Sequence, residues 1–250
     1  MKYSLFYIVI TALLLIQPSA HAQESMISRM MAIREAVVEI SADKTDLFQV
    51  PVQSAAVNPQ TGQVLVRHKL AQRSWHRSGA GVLIHPDGII ATNAHTANGA
   101  DRITVTLNSG ESFSAQPIDL INGLDLLLLK IDTGRPLPFV ELADSDQIAL
   151  RDDVFTIGNS SYLKNTLSGG TITGIGVNRH LKYTGRQRTD LIQTSVNLYQ
   201  GDSGGPLFNN AGCLIGLMTA DEGSTDHSSF AIPSNKIRES LLKYLSSQRP

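Results

Sequence analysis

From Gly81 onward the chain is a succession of short apolar runs, each closed by a turn signal. The runs are Gly81–Ile84, Gly88–Ala94, Ile103–Leu107, Asp125–Ile131, Val154–Gly158, Gly170–Val177, Leu191–Val196, Gly205–Phe208 and Cys213–Ala220. His85-Pro86-Asp87-Gly88 and Asn108-Ser109-Gly110 are typical of the punctuation between them. Runs this short, rich in β-branched residues and broken about every 8–12 residues, cannot form helices and predict an all-β barrel or sandwich. The chain has 250 residues, 42% of them hydrophobic, enough for one domain or for two small barrels packed as a unit.

The flanks read differently. Residues 1–22 begin with Lys2, run through the uncharged stretch Phe6–Ile16 and end on Ala20-His21-Ala22, the order of a secretory signal cleaved after Ala22. The apolar run is short for roughly 30 Å of hydrocarbon, and no later segment is long enough to span, so no stable membrane insertion is expected after cleavage. Met26, Ile27, Met30, Met31 and Ile33 suit a helix within residues 23–35, and Ala36–Ile40 reads as a first strand. Residues 43–77 are polar, with Pro51, Asn58-Pro59 and Thr61-Gly62 as turn signals and one possible hairpin arm at Gln63–Leu70. The stretch Phe139–Arg151 reads as a connector. Ile237, Leu241, Leu242 and Leu245 then define the apolar face of a closing helix over Ser234–Leu245. The organisation expected is a signal at 1–22, a helical segment at 23–35, β-units at 36–140 and 141–233, and a helix with its tail at 234–250.

Charge and cysteine content exclude whole classes. With 21 basic and 22 acidic side chains the net charge is -1, so no polyanion-binding field and no nucleic-acid partner are expected. Cys213 is the one cysteine, which rules out an internal disulfide and a thiolate zinc site; it is expected as a small core residue. No His-Glu-x-x-His motif occurs, so a metal hydrolase is unsupported and no metal is expected.

Three short motifs carry chemistry. Gly201-Asp202-Ser203-Gly204-Gly205-Pro206 flanks a serine with glycines, leaving its hydroxyl and neighbouring N–H groups accessible, as a nucleophile and its oxyanion require. Ala91-Thr92-Asn93-Ala94-His95 places a histidine just past a strand, where a general base could sit. Leu124-Asp125 heads the apolar run Leu126–Leu129, and an aspartate there is costly to bury unless something meets it. Taken singly, a turn, a structural histidine and a turn aspartate would explain each.

The order His95, Asp125, Ser203 resembles the trypsin-like (chymotrypsin-fold) serine proteases, and within them the bacterial HtrA/Deg branch. The resemblance rests on the collinear motifs Ser78–Ile84, His85–Gly88, Thr92–His95, Asp125–Ile131, Ile157-Gly158-Asn159, Ile192-Gln193-Thr194 and Phe230–Asn235, over about residues 36–236. It implies two six-stranded antiparallel β-barrels and a C-terminal helix. His95 and Asp125 would come from the first barrel and Ser203 from the second. It further implies a serine endopeptidase with Ser203 as nucleophile, His95 as base, Asp125 orienting His95, and the N–H groups of Gly201 and Ser203 as oxyanion hole. No cofactor is required, and the partners would be protein or peptide substrates.

The sequence also departs from that pattern. HtrA-type chains have Asn before the nucleophile where this chain has Asp202, for which a basic side chain or a backbone amide is the expected partner. Only a helix and short tail follow Asn235, so no PDZ domain is expected, and no aromatic lies between Gln23 and Leu47, where family trimers place theirs. By the resemblance, Asn197 lies at the base of the primary pocket, with Leu198, Thr219 and Ala220 forming small, rather apolar walls. Small or medium aliphatic residues are therefore expected before the scissile bond. Two basic clusters, Arg67/Lys69/Arg73/Arg77 and Arg179/Lys182/Arg186/Arg188, are expected to be solvated loop charges. A periplasmic or secreted endopeptidase is the leading reading, against a chaperone-like binder of unfolded chains or a triad esterase.

Overall fold

The computed structural model describes residues 30–57, 60–61, 64–159, 164–181, 186–199, 201–219 and 228–248. The expected signal at 1–22 and most of the segment 23–35 lie outside these residues, and a helix over 30–35 (α1) is what is described of the latter.

The N-terminal unit is an antiparallel sheet of β1 (Val37–Val57), β2 (Val64–His85), β3 (Ile89–Asn93), β4 (Arg102–Thr106), β5 (Ser112–Ser114), β6 (Gln116–Ile121) and β7 (Leu126–Lys130). Their order is β5-β4-β1-β2-β3-β7-β6, a half-barrel of seven strands where six were expected. The additional strand is the short β5, whose two exposed serines around a half-buried Phe113 give little apolar signal. The one-turn helix α2 (Ala94–Ala97) follows β3 directly. After a connector holding a 3-10 turn at Ser145–Gln147 come β8 (Asp153–Asn159), β9 (Lys164–Leu181), β10 (Arg186–Thr194), β11 (Pro206–Asn209), β12 (Leu214–Thr219) and β13 (Ser229–Pro233). These close as a six-stranded barrel in the order β10-β13-β12-β11-β8-β9. Helix α3 (Ser234–Ser247) ends the described chain.

Residues 43–77 depart most from expectation. Instead of a loop with one hairpin arm, β1 and β2 pair antiparallel from Val37↔Val82 out to Val57↔Val64. Beyond Asp43↔Arg102, where β4 leaves β1, the described residues form a two-stranded ribbon. Polar cross-strand pairs hold it, including Asp43 with His76 at 2.8 Å and Thr45 with Ser74 at 3.3 Å. Both outer edges of the ribbon are open, so Pro51, which cannot donate to a ladder, is tolerated, and the register shifts between Pro51 and Ala55. Large side chains at its described positions stand in solvent, which is why such a sequence reads as loop: Leu47 and Leu70 are 66% and 70% exposed.

One apolar cluster joins the two units. It holds Ile40, Leu83, Ile90 and Leu126–Leu129 of the first with Ile157, Phe208, Leu217 and Phe230 of the second, and Ile237 and Leu241 of α3 dock on it. A smaller cluster, including Val154, Ile172, Ile215 and Met218, fills the closed barrel. Leu242 does not belong to the buried face of α3. It lies about 100° around the helix from Leu241 and is 56% exposed, while Tyr244 and Leu245 pack inward. Asp119 of β6 ties the helix down, accepting from Ser240 Oγ at 2.6 Å and Lys243 Nζ at 2.8 Å. Cys213 is a half-buried free thiol in the β11–β12 turn, not a core residue, because the turn carries it out of the barrel.

Candidate active site

The end of β3 is fully buried (Thr92, Asn93), and α2 turns the chain sharply so that His95 stands half-exposed two residues past the strand end. Asp125 ends the β6–β7 turn and is 2% exposed, with φ +61°, a left-handed conformation that aspartate tolerates better than most residues. Its backbone carbonyl accepts from Ala94 N at 2.8 Å, which pins the turn to α2. Its carboxylate then meets His95 twice: Oδ1 accepts from the His95 backbone N–H at 2.9 Å, and Oδ2 lies 2.7 Å from Nδ1. A carboxylate oxygen accepts, so Nδ1 carries the donated proton and Nε2 keeps its lone pair.

Ser203 comes from the other unit. Its carbonyl accepts from Ala80 N of β2 at 2.9 Å. A Cβ placed on Gly79 would stand 3.0 Å from that carbonyl and 2.8 Å from Thr96 Cγ2, so the serine segment and the residue after His95 sit on either side of one glycine. Gly204, at φ +85°, is wedged tighter still: a Cβ there would lie 2.3 Å from Ala80 O and 2.5 Å from Thr92 Oγ1. Only glycine permits this approach of the serine loop to the β2–β3 surface.

The N–H groups of the loop divide in two. Asp202 N, Gly204 N and Gly205 N donate to Tyr199 O, Met218 O and Asp202 O. Those of Gly201 and Ser203 make no internal hydrogen bond among the described residues, and Gly201 has φ +99°. Two unspent donors beside a half-exposed hydroxyl are what a developing oxyanion needs. Asp202 itself is 5% exposed and pairs with a backbone amide: Oδ2 accepts from Tyr199 N at 2.9 Å. Burial pushes its carboxyl above the usual aspartate range, against the opposing pull of that N–H. A Cβ on Gly158 would lie 2.7 Å from Asp202 Oδ1, so this glycine of β8 makes room for the carboxylate.

The specificity residues are more dispersed. Asn197 is exposed, Leu198 is half-buried against the barrel core, and Thr219 is 1% exposed at the end of β12. Ala220 lies outside the described residues.

Arg188 is not the solvated charge expected, whereas Arg77 is exposed as expected. Arg188 is 2% exposed; its Nη1 donates to Asn122 O and Gly123 O at 2.8 and 2.9 Å, and its Nη2 lies 3.5 Å from Asp125 Oδ1. Arg77 stacks over Trp75 at 4.1 Å and donates to His95 O at 2.9 Å. Both line a cleft of about 210 Å³ beside His95 and Asp125. Arg188 is buried between exposed Gln187 and Thr189, but Arg186–Asp190 is polar throughout, so the sequence carries no alternation that marks it. Arg179 lies over the Phe230 ring at 5.3 Å, whereas Lys69 and Arg73 are exposed as expected. Lys182 and the side chains of Arg67 and Arg186 fall outside the described residues.

This geometry, a buried aspartate paired with His95 on one unit and a glycine-flanked serine from the other whose carbonyl docks on β2, meets an independent comparison. The family model of the Trypsin-like peptidase domain matches residues 79–217. The chain belongs to this family. Relatives of this trypsin-like peptidase are serine proteases of HtrA/Deg type. The magnetosome formation protease MamE of Paramagnetospirillum magneticum is 32% identical over 216 residues, 84% of this chain and 29% of that protein. Serine protease HTR4 of Rattus norvegicus is 36% identical over 169 residues, 67% of this chain and 34% of its own length. A probable periplasmic serine endoprotease, DegP-like, of Rickettsia conorii is 38% identical over 161 residues, covering 63% and 32%. The peptidase thus spans about a third of the length of these curated relatives. Among solved structures, the HtrA-type protease AlgW with decapeptide superposes with a TM-score of 0.66 at 29% identity, over 88% of this chain and 67% of that one.

Proposed function

We propose that this chain is an exported serine endopeptidase that cleaves peptide bonds through an acyl-enzyme. The observation that carries the reading is the 2.7 Å contact between His95 Nδ1 and buried Asp125, set beside a Ser203 backbone docked on β2. Ser203 Oγ bonds to the substrate carbonyl carbon as its proton passes to His95 Nε2. The C–N bond then breaks as that proton moves to the leaving amine, and water repeats the sequence to release the acid. Asp125 holds the tautomer and stabilises the imidazolium, while the N–H groups of Gly201 and Ser203 bind the oxyanion, each worth about 3 kcal/mol. Asp202 fixes the loop through Tyr199 N and needs no new N-terminus, so activation requires no cut beyond removal of residues 1–22. Leu198, packed on the apolar barrel core, and buried Thr219 support small pocket walls that favour aliphatic residues before the scissile bond. Export is read from the N-terminal sequence and agrees with the relative described as periplasmic. Among the described residues no helix is long and apolar enough to cross a membrane.

The test is labelling of the 23–250 chain with a fluorophosphonate and hydrolysis of a peptide library, each compared with Ser203→Ala. Labelling and cleavage after aliphatic residues are expected in the parent and lost in the variant. Ester hydrolysis without peptide cleavage would make the chain an esterase. Absence of labelling, with suppression of client aggregation, would make it a chaperone-like binder. Cleavage chiefly after Lys, Arg or Glu would overturn the specificity.

A further inference from the structure

Arg188 is the one buried cation among the described residues, and it is buried in an unexpected place. It stands on β10 of the closed barrel, but its guanidinium reaches out of that barrel to the β6–β7 turn of the other unit. There Nη1 is shared by the carbonyls of Asn122 and Gly123, and Nη2 faces Asp125 Oδ1 at 3.5 Å. A charge taken out of water at this depth is costly unless an opposite charge and good acceptors meet it. Here the opposite charge is the carboxylate that holds His95.

The turn gripped by Arg188 has reason to need a grip. Asp125 occupies the left-handed region at φ +61°, a conformation that costs free energy and persists only where surrounding contacts over-determine it. Its two oxygens serve two His95 donors at once, a demand that only one rotamer on one backbone position satisfies. The planar fork of arginine can hold two carbonyls and a carboxylate edge together, where the point charge of a lysine cannot. The grip also comes from the unit that carries Ser203, so it fixes one half of the site relative to the other.

We propose that Arg188 is a positioning residue for the reaction: from across the unit boundary it locks the Asn122–Asp125 turn so that Asp125 holds His95 in register with Ser203. This role rests on the endopeptidase reading above. It predicts an effect on the chemical step that exceeds any effect on substrate binding, because the contacts of Arg188 are with the orienting aspartate and its turn.

The test uses the 23–250 chain with Arg188→Met, which fills the same space without donors, and Arg188→Lys, which keeps the charge and loses the fork. For each, kcat and KM on a peptide substrate, the fluorophosphonate acylation rate, the downfield proton resonance of His95 Nδ1–H and the thermal midpoint are measured. Arg188→Met is expected to lose about 10²-fold in kcat and acylation rate, the cost typical of a misplacement near 1 Å, with KM little changed. The downfield proton should broaden or vanish, and Arg188→Lys should recover part of both losses. Parental kcat and an intact downfield proton in Arg188→Met, with only a lowered thermal midpoint, would reduce Arg188 to a structural residue. If Arg188→Met does not fold, a folded Arg188→Lys with full parental kcat and proton signal would overturn the proposal equally. A parent chain that takes no label would sink the endopeptidase reading, and the role of Arg188 with it.

Discussion

Gly204→Ala offers the sharpest check on how the serine loop is seated. Its Cβ would be built 2.3 Å from Ala80 O, 2.5 Å from Thr92 Oγ1 and 3.1 Å from Asn93 N. The first two atoms are themselves bonded, Thr92 Oγ1 donating to Ala80 O at 2.8 Å, and both belong to buried strands that cannot retreat. The loop must therefore move, by roughly 1 Å to restore ordinary contact, and a shift of that size at a reacting group costs about 10²-fold in rate. The alanine must also hold φ +85°, adding roughly 1–2 kcal/mol of backbone strain to the stability cost. The hydrogen bond from Ala80 N to Ser203 O lies one residue away and would lengthen with the same movement. The expected result is a folded variant with a lowered thermal midpoint and kcat/KM down about a hundredfold, read by fluorophosphonate acylation and peptide hydrolysis. Parental acylation kinetics in Gly204→Ala would refute the reasoning, because they would mean that the loop is not held against β2 and β3 as described.

Asp202 gives a pH-dependent prediction. Burial raises its carboxyl, so the folded state keeps that proton to higher pH than the unfolded chain does. Its contribution to stability is thus favourable at low pH and is lost as pH rises from about 3.9 through the raised folded value. Asp202→Asn keeps an acceptor for Tyr199 N and lacks this titration, so its thermal midpoint should gain on the parent as pH rises. Parallel midpoints across about pH 4–7 would contradict this. Asp119 has the opposite sign. Burial alone would raise it, but the bonds from Lys243 and Ser240 outweigh burial and hold it below the usual range. That stabilisation is present at neutral pH and lost as pH falls through the depressed value. Asp119→Asn should cost about 1 kcal/mol at pH 7, discounted because Lys243 is exposed, and nothing once the parent's carboxyl is protonated; denaturant unfolding at both pH values checks it.

How much of this was legible in the sequence depended on what each segment buries. The runs at Gly81–Ile84, Asp125–Ile131 and Cys213–Ala220 declared themselves because strands covered on both faces must be continuously apolar. Leu126–Leu129 and Leu214–Met218 are buried accordingly. The β1–β2 ribbon and edge strands β5 and β6 left no such signature, since solvated backbone pairing makes no demand on hydrophobicity. At the site, the glycines around Ser203 were readable because left-handed φ at Gly201 and Gly204 excludes most side chains. The burial of Arg188 was not, since its carbonyl acceptors lie 66 and 65 residues earlier in the chain.

The sequence by itself determined the β-architecture, the closing helix, and the residue types that make a serine, a histidine and an aspartate worth considering together. These are local matters: the period of burial along a strand, the φ a turn requires, the donors a glycine-flanked serine exposes. Tertiary structure alone decided that Asp125 meets His95 with both carboxylate oxygens, that Asp202 turns inward to Tyr199 N, and that Arg188 crosses between units to grip the aspartate's turn. Each of these depends on pairing distant strands in one register. A buried charge acquires its partner only when the two surfaces that enclose it have closed.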